Sequence, residues 1–369
     1  MRRTDAPKAR VAARVDEIDG RDLLIGERWV IDFGSRCHLG LDLDEELIDA
    51  IGEYLARWGA HAPWSTVSAL HEDLEAAIGR LLGSPRPLLA ASIDRIHLTA
   101  VQALAAGGTM FVDERARPLR DAALVAHGAG AEVLRFGSGD PDRLHALLAG
   151  SWRRPGMVCV GAVDALTGEP APIRELLALT RDHGAVLYVD ESVSFGVLGE
   201  RSPFEPSPYG IRGNGAVAHF SAGGDGVVVA ASLERTCASP IAFLVCGEPE
   251  REVLRRACEP AAGGPGTVGA LAAAIEGLRL NERRGDKLRA RLHRLTERLA
   301  GPGRFPVLAL AQSVTDLLIE RGIHAPPGEH GGGPLIHVTA AHSDEQIATL
   351  ERVLTELAAP FKLHRASAE

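Results

Sequence analysis

The chain is expected to fold as an α/β protein, with a large domain on a mainly parallel sheet and a small C-terminal α+β domain. Three observations predict this. Between about residues 83 and 246, short apolar runs alternate with helical stretches, the pattern of a sheet covered by helices on both faces. From about residue 248 the pattern becomes long and helical, and after Gly301-Pro302-Gly303 it breaks into short strand and helix pieces. The 369 residues, 46% hydrophobic and 24% charged, supply apolar material for a large core plus a second domain. The predicted boundaries are an N-terminal arm over 1–45, a large domain over 46–250 and a small domain over 251–369.

The elements follow in order. Leu23 to Ile31 reads as an apolar ribbon with Gly26-Glu27 suited to its turn. Asp44 to Leu55 carries apolar residues at helical spacing behind acidic residues suited to a first turn, and Leu70 to Leu82 predicts a second helix. Strands are expected at Thr109 to Val112, Ala131 to Arg135, Met157 to Val163, Ala185 to Val189, Gly226 to Ala230 and Ile241 to Cys246. Helices Pro141 to Leu148 and Ile173 to Asp182 lie between several of them. Helices Glu250 to Ala257 and Val268 to Leu299 come next. The last pieces are Phe305 to Ala309, helix Val314 to Arg321, a breaker-rich loop over 325–333, strand Leu335 to Thr339 and helix Asp344 to Leu357.

A net charge of -9 offers no general attraction for nucleic acid or an anionic membrane, so small molecules or proteins are the expected partners. The five cysteines are an odd number, widely spaced and never in a CxxC pair, which predicts reduced thiols. The polar, arginine-bearing start lacks the apolar region of a secretory signal, and no apolar run is long enough to span a bilayer, so a cytoplasmic location is expected.

In open α/β sheets functional groups gather beyond the carboxyl ends of strands, and one such end reads Val189-Asp190-Glu191-Ser192-Val193-Ser194-Phe195-Gly196-Val197-Leu198-Gly199-Glu200. Four further segments stand in matching order: Ile31 to Leu41, His71-Glu72-Asp73-Leu74-Glu75, Thr167 to Pro172, and Val338 to Ser343. Together they resemble the α-oxoamine synthases, pyridoxal-phosphate (PLP) transferases of fold type I. The likeness covers roughly residues 22 to 358 and is greatest to the lysine-lacking first long-chain-base subunit of serine palmitoyltransferase. It implies an aspartate-aminotransferase-like fold, a homodimer or a heterodimer with a lysine-bearing paralogue, and condensation of an amino acid with an acyl thioester.

The resemblance assigns roles residue by residue. Asp190 matches the carboxylate that keeps the cofactor's pyridine nitrogen protonated. Arg235 falls where the Schiff-base lysine is expected, and guanidinium cannot lose its proton to form that bond. The chain holds three lysines, Lys8, Lys287 and Lys362, with none from 9 to 286. Arg117 falls at the ring-stacking histidine, where a guanidinium can stack or hold an anion. Val193 replaces the histidine that contacts the phenolic oxygen, and Leu335 the arginine that grips the substrate carboxylate. The phosphate turn matches Ser92-Ile93-Asp94, in which Ile93 lacks glycine's freedom and Asp94 repels phosphate. Ser232 remains as a hydroxyl able to serve a phosphate. The expected cofactor status is therefore no covalent PLP, with PLP only a weak non-covalent ligand.

Other constellations are weaker. His324, His330, His337 and His342 show no i,i+4 pair on a helix, so no metal site is expected. Gly223-Gly224-Asp225-Gly226 precedes a strand and reads as a turn. Ser194, Ser232 or Cys237 with His183 lacks any Gly-x-Ser-x-Gly elbow. Three functions stay open: a non-catalytic or partly catalytic subunit of an acyl-thioester/amino-acid condensing acyltransferase, an enzyme that has reused the cleft for PLP-independent chemistry on an anionic acyl or amino-acid substrate, and a ligand-binding regulatory homodimer.

Overall fold

The computed structural model describes residues 14–60, 68–84, 87–137, 140–151, 153, 155–202, 204, 207–261, 266–328 and 332–365. Lys8, His330 and the first part of the expected arm lie outside the described residues. The chain forms two compact units, one of Arg36–Leu308 with His337–Ala340, the other of Met1–Ser35, Ala309–Ile336 and Ala341–Glu369.

The larger unit is built on seven strands: β1 (Leu88–Ala90), β2 (Thr109–Asp113), β3 (Glu132–Phe136), β4 (Pro155–Gly161), β5 (Val186–Asp190), β6 (Val227–Ser232) and β7 (Ala242–Cys246). Their order across the sheet is β1-β7-β6-β5-β4-β2-β3. The run from β6 to β3 is parallel throughout. Strand β7 runs antiparallel to both β6 and β1. Strands such as Val227-Val228-Val229-Ala230-Ala231-Ser232 are buried along their whole length, which their apolar content permits only if both faces are covered.

Period-2 alternation divides these side chains between the two faces. Met110, Val112, Tyr188, Val228 and Ala230 pack with Ile96, Ala100 and Val101 of the helix Ile93–Ala105. On the opposite face Ala231 and Phe243 join Leu70, Leu74 and Ile78 of the helix Ala69–Leu82 and Leu271, Ile275 and Leu278 of the helix Val268–Ala300. This packing explains why the 33-residue helix belongs with the sheet and not with the C-terminal pieces, as the sequence boundary at 250 has it.

The smaller unit holds an antiparallel ribbon of Glu17–Asp19, Asp22–Ile25 and Arg28–Asp32, extended by Ile323–His324 in parallel with the last. Gly26 supplies the left-handed turn residue at φ 65°. His342 of the Ala-Ala-His segment stacks on Phe33, ring centroids 4.3 Å apart, and its Nε2 is 2.8 Å from the Asp32 carbonyl oxygen. That histidine therefore does structural service within the ribbon.

Candidate active site

The parallel strands bring their carboxyl ends to one edge of the sheet. The register sets Gly161 of β4 and Ala230 of β6 on either side of Asp190, the last residue of β5. Asp190 is buried, yet it is well supplied with partners. Its Oδ1 accepts from the Ser192 amide at 2.9 Å, and its Oδ2 lies 3.3 Å from His97 Nε2. The other ring nitrogen, Nδ1, is 2.9 Å from the Tyr188 hydroxyl. Burial alone raises the Asp190 pKa, but attraction and hydrogen bonding from His97, with hydrogen bonds from Ser192, outweigh it and hold the carboxyl below its ordinary value. The strand end thus presents a charged carboxylate.

Ser232 ends β6, where its amide donates to Ser192 Oγ at 3.1 Å and its own Oγ accepts from the Glu234 amide at 3.1 Å. The structure thereby links Ser232 to Asp190 through Ser192, and it engages the Ser232 hydroxyl as an acceptor in the turn. Arg235 follows in the short helix Glu234–Cys237, half-buried, with its carbonyl accepting from the His38 amide at 3.1 Å. Ser92 stands at the N-cap of the helix Ile93–Ala105 in extended backbone, and its side chain makes no capping bond.

Arg117 is half-buried after β2, but Arg115 is the residue that lines the neighbouring cavity of about 260 Å³ together with Asp113, Gly161, Asp164, Glu169 and Ala171. Arg115 pairs with Asp164 at 3.4 Å and reaches Glu169 at 3.8 Å. The Thr167 to Pro172 loop, singled out in the sequence, supplies part of this wall. Next to Asp190, Glu191 is fully enclosed. Its Oε2 and Oε1 accept the Ala216 and Val217 amides at 2.6 and 2.7 Å, and Ser194 donates to Oε2 at 3.2 Å.

His97, Tyr188 and Glu191 were not singled out from sequence. Strand alternation places Tyr188 on the same face as Asp190, a signal that was available. His97 sits on the buried stripe of its helix, 93 residues from Asp190 in the chain, so no local pattern could join them.

No protein-family model matches the chain. It is 28% identical to the 8-amino-7-oxononanoate synthase of Burkholderia thailandensis over 375 residues, 91% of this chain and 89% of the relative. The same enzyme of Chromobacterium violaceum is 28% identical over 304 residues, 80% of this chain and 76% of that one. Among solved structures, Sphingomonas wittichii serine palmitoyltransferase superposes with a TM-score of 0.80 at 20% identity, covering 95% and 93% of the two chains. The chain is a homologue of the α-oxoamine synthases. Its fold is that of the type I PLP transferases, as the sequence resemblance implies.

The homology corrects one expectation. A serine palmitoyltransferase structure with a TM-score of 0.79 to this chain holds PLP as an internal aldimine, and the expected exclusion of covalent PLP does not stand. The buried, ionised Asp190 fits such a group, because its charge complements a protonated pyridine nitrogen. Among the described residues no group of three His, Cys, Asp or Glu side chains is placed to hold a metal ion, and no helix is long and apolar enough to cross a membrane.

Proposed function

We propose that this chain is a subunit of an α-oxoamine-synthase-type acyltransferase, acting beside a lysine-bearing homologue to join an acyl thioester to an amino acid with loss of carbon dioxide and thiol. The observation that carries the reading is Asp190, a buried carboxylate kept charged at the carboxyl end of a central parallel strand. The curated relatives, both 8-amino-7-oxononanoate synthases, support the reaction class. Arg235 at the place where the resemblance puts lysine supports the pairing with a second, lysine-bearing chain.

When bound, PLP supplies an electron sink, and Asp190 is the residue that would hold its ring nitrogen. His97 keeps the carboxylate charged and fixes its orientation, while Tyr188 sets which way the imidazole faces. Ser192 ties Asp190 to the end of β6 through these two hydrogen bonds. The enclosed Glu191 holds the loop after β5 against the segment beginning at Ala216.

The test is co-expression with a lysine-bearing α-oxoamine synthase of the same genome. The two chains are expected to copurify, the pair to release free coenzyme A from an acyl-CoA and an amino acid faster than either alone, and Asp190→Asn in this chain to lower that rate. No complex, with the homologue fully active by itself, would overturn the reading.

A further inference from the structure

The helix Ala69–Leu82 stops at Gly83, whose left-handed backbone at φ 67° turns the chain away. At that end lies a cavity of about 370 Å³, floored by Val227 and Val229 of β6 and Val245 of β7. Small-ligand sites occupy roughly 300–1,000 Å³, so the space is large enough for one. Val228 and Ala230 pair with Tyr188 and Asp190 and pack on the His97 side of the sheet. Val227 and Val229 alternate with them, so the cavity lies on the opposite face. Glu191 and Asn214 supply its buried polar groups, while Gly223 and Asp225 are exposed members of its lining.

Asn214 says what kind of molecule fits. It is 7% exposed, and its Oδ1 accepts from the Glu200 amide at 2.9 Å, which fixes the orientation of the side-chain amide. Its Nδ2 makes no hydrogen bond among the described residues. Polar atoms of side chains buried this far are nearly always partnered, so the open donor calls for an acceptor oxygen in the cavity. The oxygens of Glu191 are already engaged by Ala216, Val217 and Ser194, and a carboxyl on this wall opposes a second anion. An ammonium would set donor against donor at Asn214. A neutral carbonyl meets both conditions, and the valine floor takes hydrocarbon.

We propose that this cavity binds a small neutral aliphatic molecule through a carbonyl oxygen, with Asn214 Nδ2 as the donor and Val227, Val229 and Val245 against the hydrocarbon. The site uses neither Asp190 nor Arg235 and does not rest on the condensation reading.

The purified full-length chain would be titrated with pentanamide, pentanoate and pentylamine, which share a tail and differ in head group, with binding followed by ligand-observed NMR. Pentanamide is expected to bind saturably and more tightly than the other two. Asn214→Asp keeps an acceptor for the Glu200 amide and removes the donor. It should weaken pentanamide by about tenfold and move the preference toward pentylamine, an inversion that a merely structural role would not produce. Gly223 lies outside the left-handed region, and a Cβ there meets only Val217 Cγ1, at 4.0 Å. Gly223→Leu therefore fills the cavity without backbone strain and should abolish binding, which keeps the test informative should Asn214→Asp fail to fold. No saturable pentanamide binding, tighter binding of pentanoate or pentylamine by the wild type, or unchanged pentanamide affinity in either variant would overturn the proposal.

Discussion

His97 Nε2 lies 3.3 Å from Asp190 Oδ2 with both side chains buried, so the central carboxylate of the sheet carries its own internal counter-group. Removing one member of a buried pair leaves the other uncompensated. His97→Ala is expected to lower stability at pH 7 by about 3 kcal/mol, read from the urea midpoint. His97→Ala/Asp190→Asn should cost less than the sum of the two single changes, because the second removes the charge left stranded by the first. Strict additivity would show that the pair is not coupled.

The sign of the Asp190 contribution follows from its lowered pKa. The contribution is fully present above the ordinary value of 3.8 and is lost as pH falls toward the lower folded-state value. In His97→Ala this loss should begin at higher pH. Acid unfolding monitored by far-ultraviolet circular dichroism checks it, and an unmoved acid midpoint would count against His97 as the partner.

Glu191 behaves in the opposite sense. Burial raises its carboxyl from 4.5 to about 7 despite the hydrogen bonds from Val217, Ala216 and Ser194. The folded protein therefore binds more protons than the unfolded chain between those values, and stability falls as pH rises through that window, by on the order of 3 kcal/mol. Unfolding free energies of wild type and Glu191→Gln, measured from pH 4.5 to 8, should converge or cross as the wild type loses stability. A difference between them that is constant with pH would refute the raised value.

Gly215 has φ 97°, and a Cβ there would meet the Glu191 carboxylate. Side chains rarely adopt this backbone, and the carboxylate cannot retreat without losing the Ala216 and Val217 amides. Gly215→Ala is expected to cost about 2 kcal/mol or more in thermal or urea unfolding. A wild-type midpoint in that variant would mean that the loop has room to shift.

Arg289 is a buried arginine of the helix Val268–Ala300 whose guanidinium donates to the Gly196 carbonyl at 3.0 Å and to Asn281 Oδ1 at 2.7 Å, and pairs with Asp286. It pins the loop after β5 to the long helix. Lysine has a single point of donation and cannot span these acceptors, so Arg289→Lys should destabilise by about 2 kcal/mol and Arg289→Ala by more. Equal unfolding midpoints for wild type and Arg289→Lys would show the fork geometry to be dispensable.

Much of the architecture was legible in the chain itself. The six strand runs predicted between Thr109 and Cys246 all occur, because strands buried on both faces must be nearly continuous apolar text. Strand Leu88–Ala90 and the helix Ile93–Ala105 were not read. The strand spans three residues, and Ser92-Ile93-Asp94, which the resemblance aligns with a phosphate turn, opens the helix. The division into units was also read differently, since contiguous boundaries cannot show that the ends of a chain cluster apart from its middle.

The fold class, the strand end that bears Asp190, the α-oxoamine synthase likeness and the presence of Arg235 are all readable along the chain. These rest on periodicity and on motifs whose residues are neighbours in the chain. Folding in three dimensions is what sets His97 and Tyr188 behind Asp190, encloses Glu191 with Ala216 and Val217, and brings His38 against His337 with the Arg235 backbone beside it. Each of these depends on contacts between segments distant in sequence. Strand order and helix packing create such contacts, and no local pattern encodes them.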